Sequence, residues 1–319
     1  MNNLPDLLKI INLKKYYKTP AGMLHAVDGV SLDIKSGRTL GVVGESGCGK
    51  STLGRAALRL IEPSDGEIWF KGENIMDYSP RKLRLSRRKM QIIFQDPYSS
   101  LNPRLTVSEL IAEPLIVNKV YSNRQQLHKR IADLMETVEL SERFSHVYPH
   151  ELDGGRRQRI GVARALAVEP DFIVCDEPVS ALDVSVQAQI LNLMMDLQDK
   201  FGYAYMFISH NLSVVRHISQ EIAVMYLGQC VERADTDSLF NNPMHPYTQA
   251  LLDAIPVPKL SARHKKREII RGEVTSPINP APGCRFAPRC PIAKPECSIL
   301  EIEHRECKPG HFVSCLNAH

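Results

Sequence analysis

The stretch Gly44-Glu45-Ser46-Gly47-Cys48-Gly49-Lys50-Ser51-Thr52 constrains this chain more than any other, because it matches the pattern G-x-x-x-x-G-K-S/T. Before it, Thr39 to Val43 is a short apolar run that predicts a buried strand. After it, Leu53 to Ile61 carries apolar residues at 53, 57, 60 and 61, which predicts a helix. A strand, a glycine loop and a helix in that order gather backbone N–H groups and the positive end of a helix around one anion, most simply the phosphate chain of a nucleotide. Gly44, Gly47 and Gly49 let the backbone close on the phosphates, Lys50 reaches the β and γ phosphates, and the Ser51 hydroxyl ligates Mg²⁺.

A length of 319 residues allows one large α/β domain with an appendage. Forty Lys plus Arg against 36 Asp plus Glu leave a formal charge of +4, too weak a bias to single out nucleic acid as a partner. No apolar run approaches the roughly 18 to 20 residues that span a bilayer. Met1 to Lys15 lacks a basic start followed by a long apolar core, so no signal peptide is expected and the expected location is cytoplasmic. Of eight cysteines, Cys48 and Cys175 lie in the nucleotide-site stretches, Cys230 stands alone, and five follow residue 283.

Residues 8 to 34 predict an antiparallel strand pair around the turn Pro20-Ala21-Gly22. Within it Tyr17 has two readings, a face for adenine or an ordinary half-buried strand aromatic. Glu67 to Phe70 predicts a strand, and Pro80 to Lys89 a basic helix whose charges read as a solvated face rather than a contact for RNA or lipid. Met90 to Phe94 predicts a strand that ends at Gln95, and α/β sheets bind ligands at the carboxyl ends of their strands. Residues 106 to 148 read as mostly helical. Asp153-Gly154-Gly155 then opens a helix to about Val168, a second candidate anion site. Phe172 to Cys175 is an apolar strand that delivers Asp176 and Glu177 to a sheet edge, where one acid can hold Mg²⁺ and the other can orient and deprotonate a water. Residues 187 to 200 predict an amphipathic helix. Tyr205 to Ile208 predicts a strand ending at Ser209-His210, whose imidazole can donate to a γ-phosphate.

In this order, the phosphate loop, Gln95, the Gly-Gly turn continuing Arg157-Gln158-Arg159-Ile160, the strand ending Asp176-Glu177, and Ser209-His210 make residues 6 to 257 resemble the nucleotide-binding subunit of an ABC transporter. The resemblance implies an α/β P-loop NTPase fold of ABC type with an antiparallel β subdomain and a helical subdomain over about 96–168. Residues 1–257 would form this domain, and 258–319 a Cys-containing C-terminal extension. It further implies ATP held by Tyr17, Gly44, Glu45, Ser46, Gly47, Cys48, Gly49, Lys50, Ser51, Thr52, Gln95, Asp176 and His210. Mg²⁺ would lie on Ser51, Gln95 and Asp176, with Glu177 and His210 catalytic. Ser180-Ala181-Leu182-Asp183 matches the family's dimer-contact loop, with Ser180 and Asp183 as its contacts, and Tyr17 matches its adenine-stacking aromatic. Two such subunits join head to tail, each ATP lying between one chain's phosphate loop and the other's signature.

A narrower resemblance, carried by Gln95-Asp96-Pro97, Ser100 to Arg104, the run Asp176 to Gln187, and His245-Pro246-Tyr247-Thr248, is to the dipeptide, oligopeptide and nickel importer subgroup. It implies a peptide importer's ATPase, with nickel chelates, glutathione and oligosaccharides still open as substrates. The implied partners are a second ATPase subunit, two integral membrane permease subunits and, through them, an extracytoplasmic substrate-binding protein, with the chain on the cytoplasmic face of the membrane. Two rival classes are a nucleotide-sensing or structural subunit with little catalysis, against which Lys50, Ser51, Asp176, Glu177 and His210 are all present, and a soluble ABC protein of DNA repair or translation. Such chains usually carry two nucleotide domains or long arms, and no internal repeat occurs here.

The tail brings a further expectation. Lys259 to Arg271 reads as a basic, exposed linker, and the prolines from Pro277 to Pro295 argue for loops, which without a core of their own need a staple. Cys284, Cys290, Cys297 and Cys315 supply four thiolates, with Cys307 as a spare; disulfides are disfavoured in a cytosolic chain, and the gaps are wider than zinc knuckles. The spacing resembles that of an iron–sulfur cluster in the peptide importer subgroup, which implies a 4Fe–4S centre, with zinc and free thiols as alternatives.

The signature departs from the family's Leu-Ser-Gly-Gly-Gln, reading Leu152-Asp153-Gly154-Gly155-Arg156. Asp153 is a good helix cap, yet a carboxylate about 4 Å from a phosphate costs about 4 kcal/mol at an effective dielectric near 20. Pairing of Arg156 or Arg157 with Asp153 would offset part of that. The departure implies a heterodimer with one competent and one weak site; the alternative is that Asp153 turns outward or is protonated and both sites fire.

Overall fold

The computed structural model describes residues 6–255 and 275–318. Its first elements are β1 (Asp6–Thr19), β2 (Gly22–Lys35), β3 (Thr39–Val43), α1 (Lys50–Ala57), β4 (Asp65–Phe70), β5 (Glu73–Asn74), α2 (Pro80–Ser86) and β6 (Met90–Ile93). Then follow α3 (Pro97–Ser100), α4 (Val107–Val117), α5 (Arg124–Thr137), α6 (Gly154–Leu166), β7 (Phe172–Asp176), α7 (Val184–Phe201) and β8 (Ala204–Ile208). The last are α8 (Leu212–Ile218), β9 (Glu221–Tyr226), β10 (Gln229–Asp235), α9 (Thr236–Asn241), α10 (Pro246–Asp253), β11 (Arg305–Lys308) and β12 (His311–Val313).

The chain divides into two compact units. One comprises residues up to Leu7, Ile34–Arg38 and Asn74–Phe207. Here β6 and β7 pair in parallel, Met90 opposite Phe172 and Ile93 opposite Cys175, and the Ala204 amide at the start of β8 donates to the Asp171 carbonyl at 3.1 Å. All five residues of β7 are buried, as a parallel strand covered on both faces requires. The helical stretch resolves into α4, α5 and α6, which pack on one another. Each starts where a side chain meets a free amide: Glu109 accepts from the Thr106 amide at 2.8 Å, Asn123 from Gln125 at 2.8 Å, and Asp153 from Arg156 at 2.8 Å.

The other unit comprises Leu8–Asp33, Thr39–Glu73 and the chain from Ile208 onward. It holds the antiparallel sheet β2-β1-β4, with Ile10 opposite Ile68, and a second sheet in the order β11-β12-β10-β9-β3, in which β3 runs parallel to β9. Helix α1 begins three residues before the apolar periodicity predicts, because Lys50, Ser51 and Thr52 are already helical with Gly49 as the cap; it ends at Ala57, where Arg59 turns to a φ of 48°.

The tail corrects the expectation of coreless loops. Strand β12 adds to β10, with Val313 opposite Glu232, and β11 closes the hairpin. The reason is a buried carboxylate. Glu232 is 0% exposed and accepts from the Met244 amide at 2.7 Å and the His245 amide at 2.9 Å, while His311 Nε2 lies 2.7 Å away. A carboxylate buried so deeply needs all of these partners, and one of them comes from the tail. Around it Val313, Cys315 and Ala318 form a small core with Met244 and Cys307. The linker Lys259 to Arg271 and the boundary at 257/258 lie outside the described residues.

Candidate nucleotide site

The phosphate loop leaves β3 and enters α1 through backbone that no side chain could share. A Cβ on Gly44 would stand 2.2 Å from the Met225 carbonyl oxygen, and one on Gly49 2.0 Å from that of Ala26. Both residues also hold positive φ, 153° and 103°. Gly47 differs: its φ is 78°, but a Cβ there would meet nothing within 4 Å, so it serves the turn and not a close approach. Lys50 is 4% exposed, and its ammonium donates to the carbonyls of Gly44 and Glu45, each at 2.9 Å, with Cys48 Sγ 3.8 Å away. Burial raises the Cys48 thiol above its ordinary range, so it packs as a neutral group. Ser51 and Thr52, on the first turn of α1, are half-buried, and Ser46 is exposed.

In the same unit the Ser209 amide donates to the Val42 carbonyl at 3.1 Å, so the exposed His210 follows a residue bonded to the strand that feeds the loop. Tyr17 is half-buried on β1 with the Lys15 ammonium 4.8 Å over its ring, a cation–π contact. Its neighbour Tyr16 stacks on His25 at 4.1 Å and donates to Asp28, and it is burial first, then that hydrogen bond, that raises the phenol above its ordinary range. Sequence reasoning missed the contact of Tyr247 with the loop, for the Tyr247 hydroxyl accepts from the Glu45 amide at 2.9 Å across 202 residues. His245-Pro246-Tyr247-Thr248 is legible as a motif, but nothing local says what its tyrosine touches.

In the unit that carries β7, Asp176 is buried at the end of the strand and Glu177 follows with a φ of 49°, a left-handed conformation uncommon for a residue with a side chain. Gln95 Nε2 donates to Glu177 Oε2 at 3.2 Å, which joins two residues 82 positions apart. The Ser180 amide and hydroxyl both donate to the Glu177 carbonyl, at 3.3 and 3.1 Å, and Asp183 caps α7 by accepting from the Val186 amide at 3.0 Å. At the head of α6 Asp153 accepts from the Arg156 amide and also pairs with the Arg156 guanidinium at 2.5 Å, its side chain 57% exposed. Arg157 turns away, donating to the Pro149 and His150 carbonyls at 2.5 and 3.2 Å and lying 3.7 Å over the Tyr98 ring. A Cβ on Gly154 would come to 3.0 Å of Leu182 Cδ2, and one on Gly155 to 2.6 Å of Val186 Cγ1, which seats the Gly-Gly turn on the start of α7.

Cys284, Cys290, Cys297 and Cys315 line one cavity of about 10 Å³, room for about one water. Cys307 is not part of it. Burial pushes the Cys284 thiol up to about 11 and raises those of Cys290 and Cys315. The Lys294 amide points at Cys297 Sγ at 3.5 Å. As the side chains stand, no group of three or more His, Cys, Asp or Glu among the described residues is arranged to hold a metal ion.

Comparison with known proteins bears on both regions. The sequence model of the family described as ABC transporter matches residues 27–180, and that of the oligopeptide/dipeptide transporter C-terminal region matches 231–297. The chain is 49% identical over 322 residues to the oligopeptide transport ATP-binding protein AppF of Bacillus subtilis, covering 98% of each protein. This chain belongs to the ABC transporter ATP-binding proteins. The ABC protein is also 48% identical to the dipeptide transport ATP-binding protein DppF of Haemophilus influenzae, over 98% of this chain and 96% of that one. Among solved structures, the ATP-binding cassette MJ0796, a dimer in a post-hydrolysis state bound to ADP and Pi, matches with a TM-score of 0.66 and 31% identity over 72% of this chain and 98% of that one. The cbiO1 subunit of Clostridium perfringens matches with a TM-score of 0.67 and 26% identity over 74% and 91%. No helix among the described residues is long and apolar enough to cross a membrane.

The helix that presents Tyr247 to the loop makes the site sensitive to acid. His245 caps α10, its Nδ1 accepting from the Tyr247 amide at 3.1 Å, and burial pushes its imidazole down to about 4. Burial likewise brings His304 in the tail to about 4. Between about pH 6.5 and 4 the unfolded chain holds protons at these positions that the folded chain does not, so stability falls as the pH drops through that window, by up to about 1.4 kcal/mol per pH unit for each histidine. Urea unfolding at a series of pH values should show this slope. His245→Asn, which keeps a capping oxygen, should lower the slope by about half of this contribution, His304 supplying the rest, and an unchanged slope would contradict the assignment.

Proposed function

We propose that this chain is an ATP-hydrolysing subunit that powers import of di- or oligopeptides, working peripherally on the cytoplasmic face of the membrane. The observation that carries the reading is the buried Lys50 ammonium at the head of α1, held by the first two carbonyls of a loop whose backbone admits only glycine at its close contacts. The peptide assignment is supported by relatives named for oligopeptide and dipeptide transport that align from end to end.

In this reading the triphosphate lies on the amides of Gly44 to Thr52 and on Lys50, and Tyr17 stacks on the base. By the family resemblance Ser51, Gln95 and Asp176 would hold Mg²⁺, which when bound would neutralise charge on the phosphates. Glu177, oriented by its hydrogen bond from Gln95, takes a proton from the water that attacks the γ-phosphorus, and the bond to the bridging oxygen breaks in line. His210 donates to the γ-phosphate. Because the protein's work is positioning and electrostatics, the two acid and base substitutions separate cleanly. Lys50→Ala should lose ATP binding, whereas Glu177→Gln should keep it and lower turnover by at least about 10²-fold. Normal hydrolysis by Glu177→Gln would remove Glu177 as the base.

The partners follow from two surfaces. A cavity of about 180 Å³ next to Gln95, lined by Gln91, Phe94, Leu101, Pro114, Gln158 and Arg164, suits a segment of a permease subunit, so that ATP chemistry and membrane subunits meet at the same strand end. Two permeases, and through them an extracytoplasmic binding protein, complete the importer. The second ATPase subunit is a different chain. Asp153 stands where the family places a serine against the other subunit's phosphate, and its pair with Arg156 is solvent-exposed and so offsets little of the repulsion. One site of the dimer is then competent and the other weak. Counting ATP hydrolysed per closed dimer in the reconstituted transporter should give close to one in the wild type and approach two with Asp153→Ser; two equivalent sites in the wild type would contradict the asymmetry.

For the tail we favour a 4Fe–4S cluster on Cys284, Cys290, Cys297 and Cys315. Their shared cavity and the Lys294 amide directed at Cys297 support it, and the cavity must open and the side chains rearrange to admit a cluster. Since burial raises the Cys284, Cys290 and Cys315 thiols and keeps them protonated, loading would release protons. Anaerobically purified protein should contain about four iron and four acid-labile sulfides per chain. Their absence from such protein would leave zinc or free thiols.

A further inference from the structure

The segment Cys284-Arg285-Phe286-Ala287-Pro288-Arg289-Cys290 carries two arginines that the mechanism above does not use. The Arg289 side chain is 7% exposed, and its guanidinium faces the Glu45 carboxylate: Nη1 lies 3.1 Å from Oε2 and 3.4 Å from Oε1, and Nη2 3.3 Å from Oε1. Nη1 also donates to the Tyr226 hydroxyl at 3.3 Å. Glu45 is the second residue of the phosphate loop, and its other polar groups are taken too. Its amide donates to Tyr247, and its carbonyl accepts from Lys50 at 2.9 Å and from the Cys48 amide at 3.3 Å. Left alone, the carboxylate would put a negative charge beside a ligand that itself carries several. A sheltered guanidinium cancels that charge through charge-assisted hydrogen bonds.

The rest of the segment is fastened so that Arg289 cannot drift. Phe286, 1% exposed, packs edge-on against Tyr226 at 5.3 Å and at a tilt against Tyr247 at 5.4 Å, the tyrosines that touch Arg289 and Glu45 respectively. Arg285 donates to the Leu227 carbonyl and to Asp28. Leu227 opens a turn whose next residue, Gly228, donates from its amide to the Cys48 carbonyl at 2.8 Å. The segment thus reaches the loop through Glu45 on one side and braces the turn behind Cys48 on the other.

We propose that Arg289 is a positioning residue for ATP, cancelling the charge of Glu45 and fixing the first turn of the phosphate loop, so that the C-terminal segment sets the affinity for the triphosphate. The proposal rests on the reading of the loop as an ATP site. Its test uses the assembled transporter with Mg-ATP and compares Arg289→Met, which keeps the bulk and loses the charge, with Arg289→Lys, which keeps the charge. Arg289→Met should raise KM for ATP about tenfold with kcat within about twofold, and Arg289→Lys should raise it less than about threefold. Direct Mg-ATP binding in a Glu177→Gln background should show the same order, with thermal unfolding reporting whether each variant folds. If the Met variant is not recovered folded, Arg289→Gln replaces it. An unchanged KM in the charge-removing variant, or equal losses in it and the Lys variant, would overturn the proposal. Failure of the unsubstituted protein to bind Mg-ATP would overturn the reading of the loop, and this proposal with it.

Discussion

The phosphate loop owes its shape to backbone packed on backbone. Gly44 lies under the Met225 carbonyl and Gly49 under that of Ala26, and the Gly228 amide bonds the Cys48 carbonyl, so strands β2 and β9 and the turn after β9 meet the loop directly. No side chain intervenes to soften those contacts, and the loop's geometry is inherited from the strands beside it. That arrangement fixes the turn around the Lys50 ammonium, which the Gly44 and Glu45 carbonyls hold. It also leaves the loop's one acid, Glu45, needing a cation that the loop itself does not supply.

Two acids in this protein, Glu45 in the phosphate loop and Asp153 at the head of α6, are each met by a guanidinium in a different setting. Glu45 is paired with Arg289, whose side chain is only 7% exposed, while Asp153 is paired with Arg156 at the surface, the two side chains 57% and 43% exposed. Water and salt weaken the second pair, for which about 0–1 kcal/mol is an ordinary contribution. The first is sheltered and held by Phe286 and the two tyrosines. The tail is accordingly part of the nucleotide unit. Glu232, fully buried, draws His311 of β12 into the same sheet that carries the loop.

Legibility in the sequence followed the range of the interaction. The phosphate loop, the apolar strand ending in Asp176 and Glu177, and the capped helix at Asp153 are written in contiguous residues, and local patterns are enough to find them. Helix ends were read less well, because the apolar periodicity of α1 begins at Leu53 while its hydrogen bonding begins at Lys50. What could not be read were pairs such as Glu45 with Arg289, 244 residues apart, or Glu232 with His311, 79 apart. In neither pair does the local sequence name the partner, and the prolines of the tail point to loops where a buried acid reserves a place for a strand.

The central claim, that this loop holds the triphosphate with Lys50 and that another chain completes the site, is tested most directly by a structure of the assembled transporter carrying Glu177→Gln with Mg-ATP bound. The account predicts the β and γ phosphates on the amides of Gly44 to Thr52 and within hydrogen-bond distance of Lys50 Nζ, roughly 3 Å, with the signature of the second ATPase subunit on the far side of the nucleotide. A triphosphate bound elsewhere, with Lys50 still tied only to the Gly44 and Glu45 carbonyls, or one enclosed by this chain alone, would contradict it.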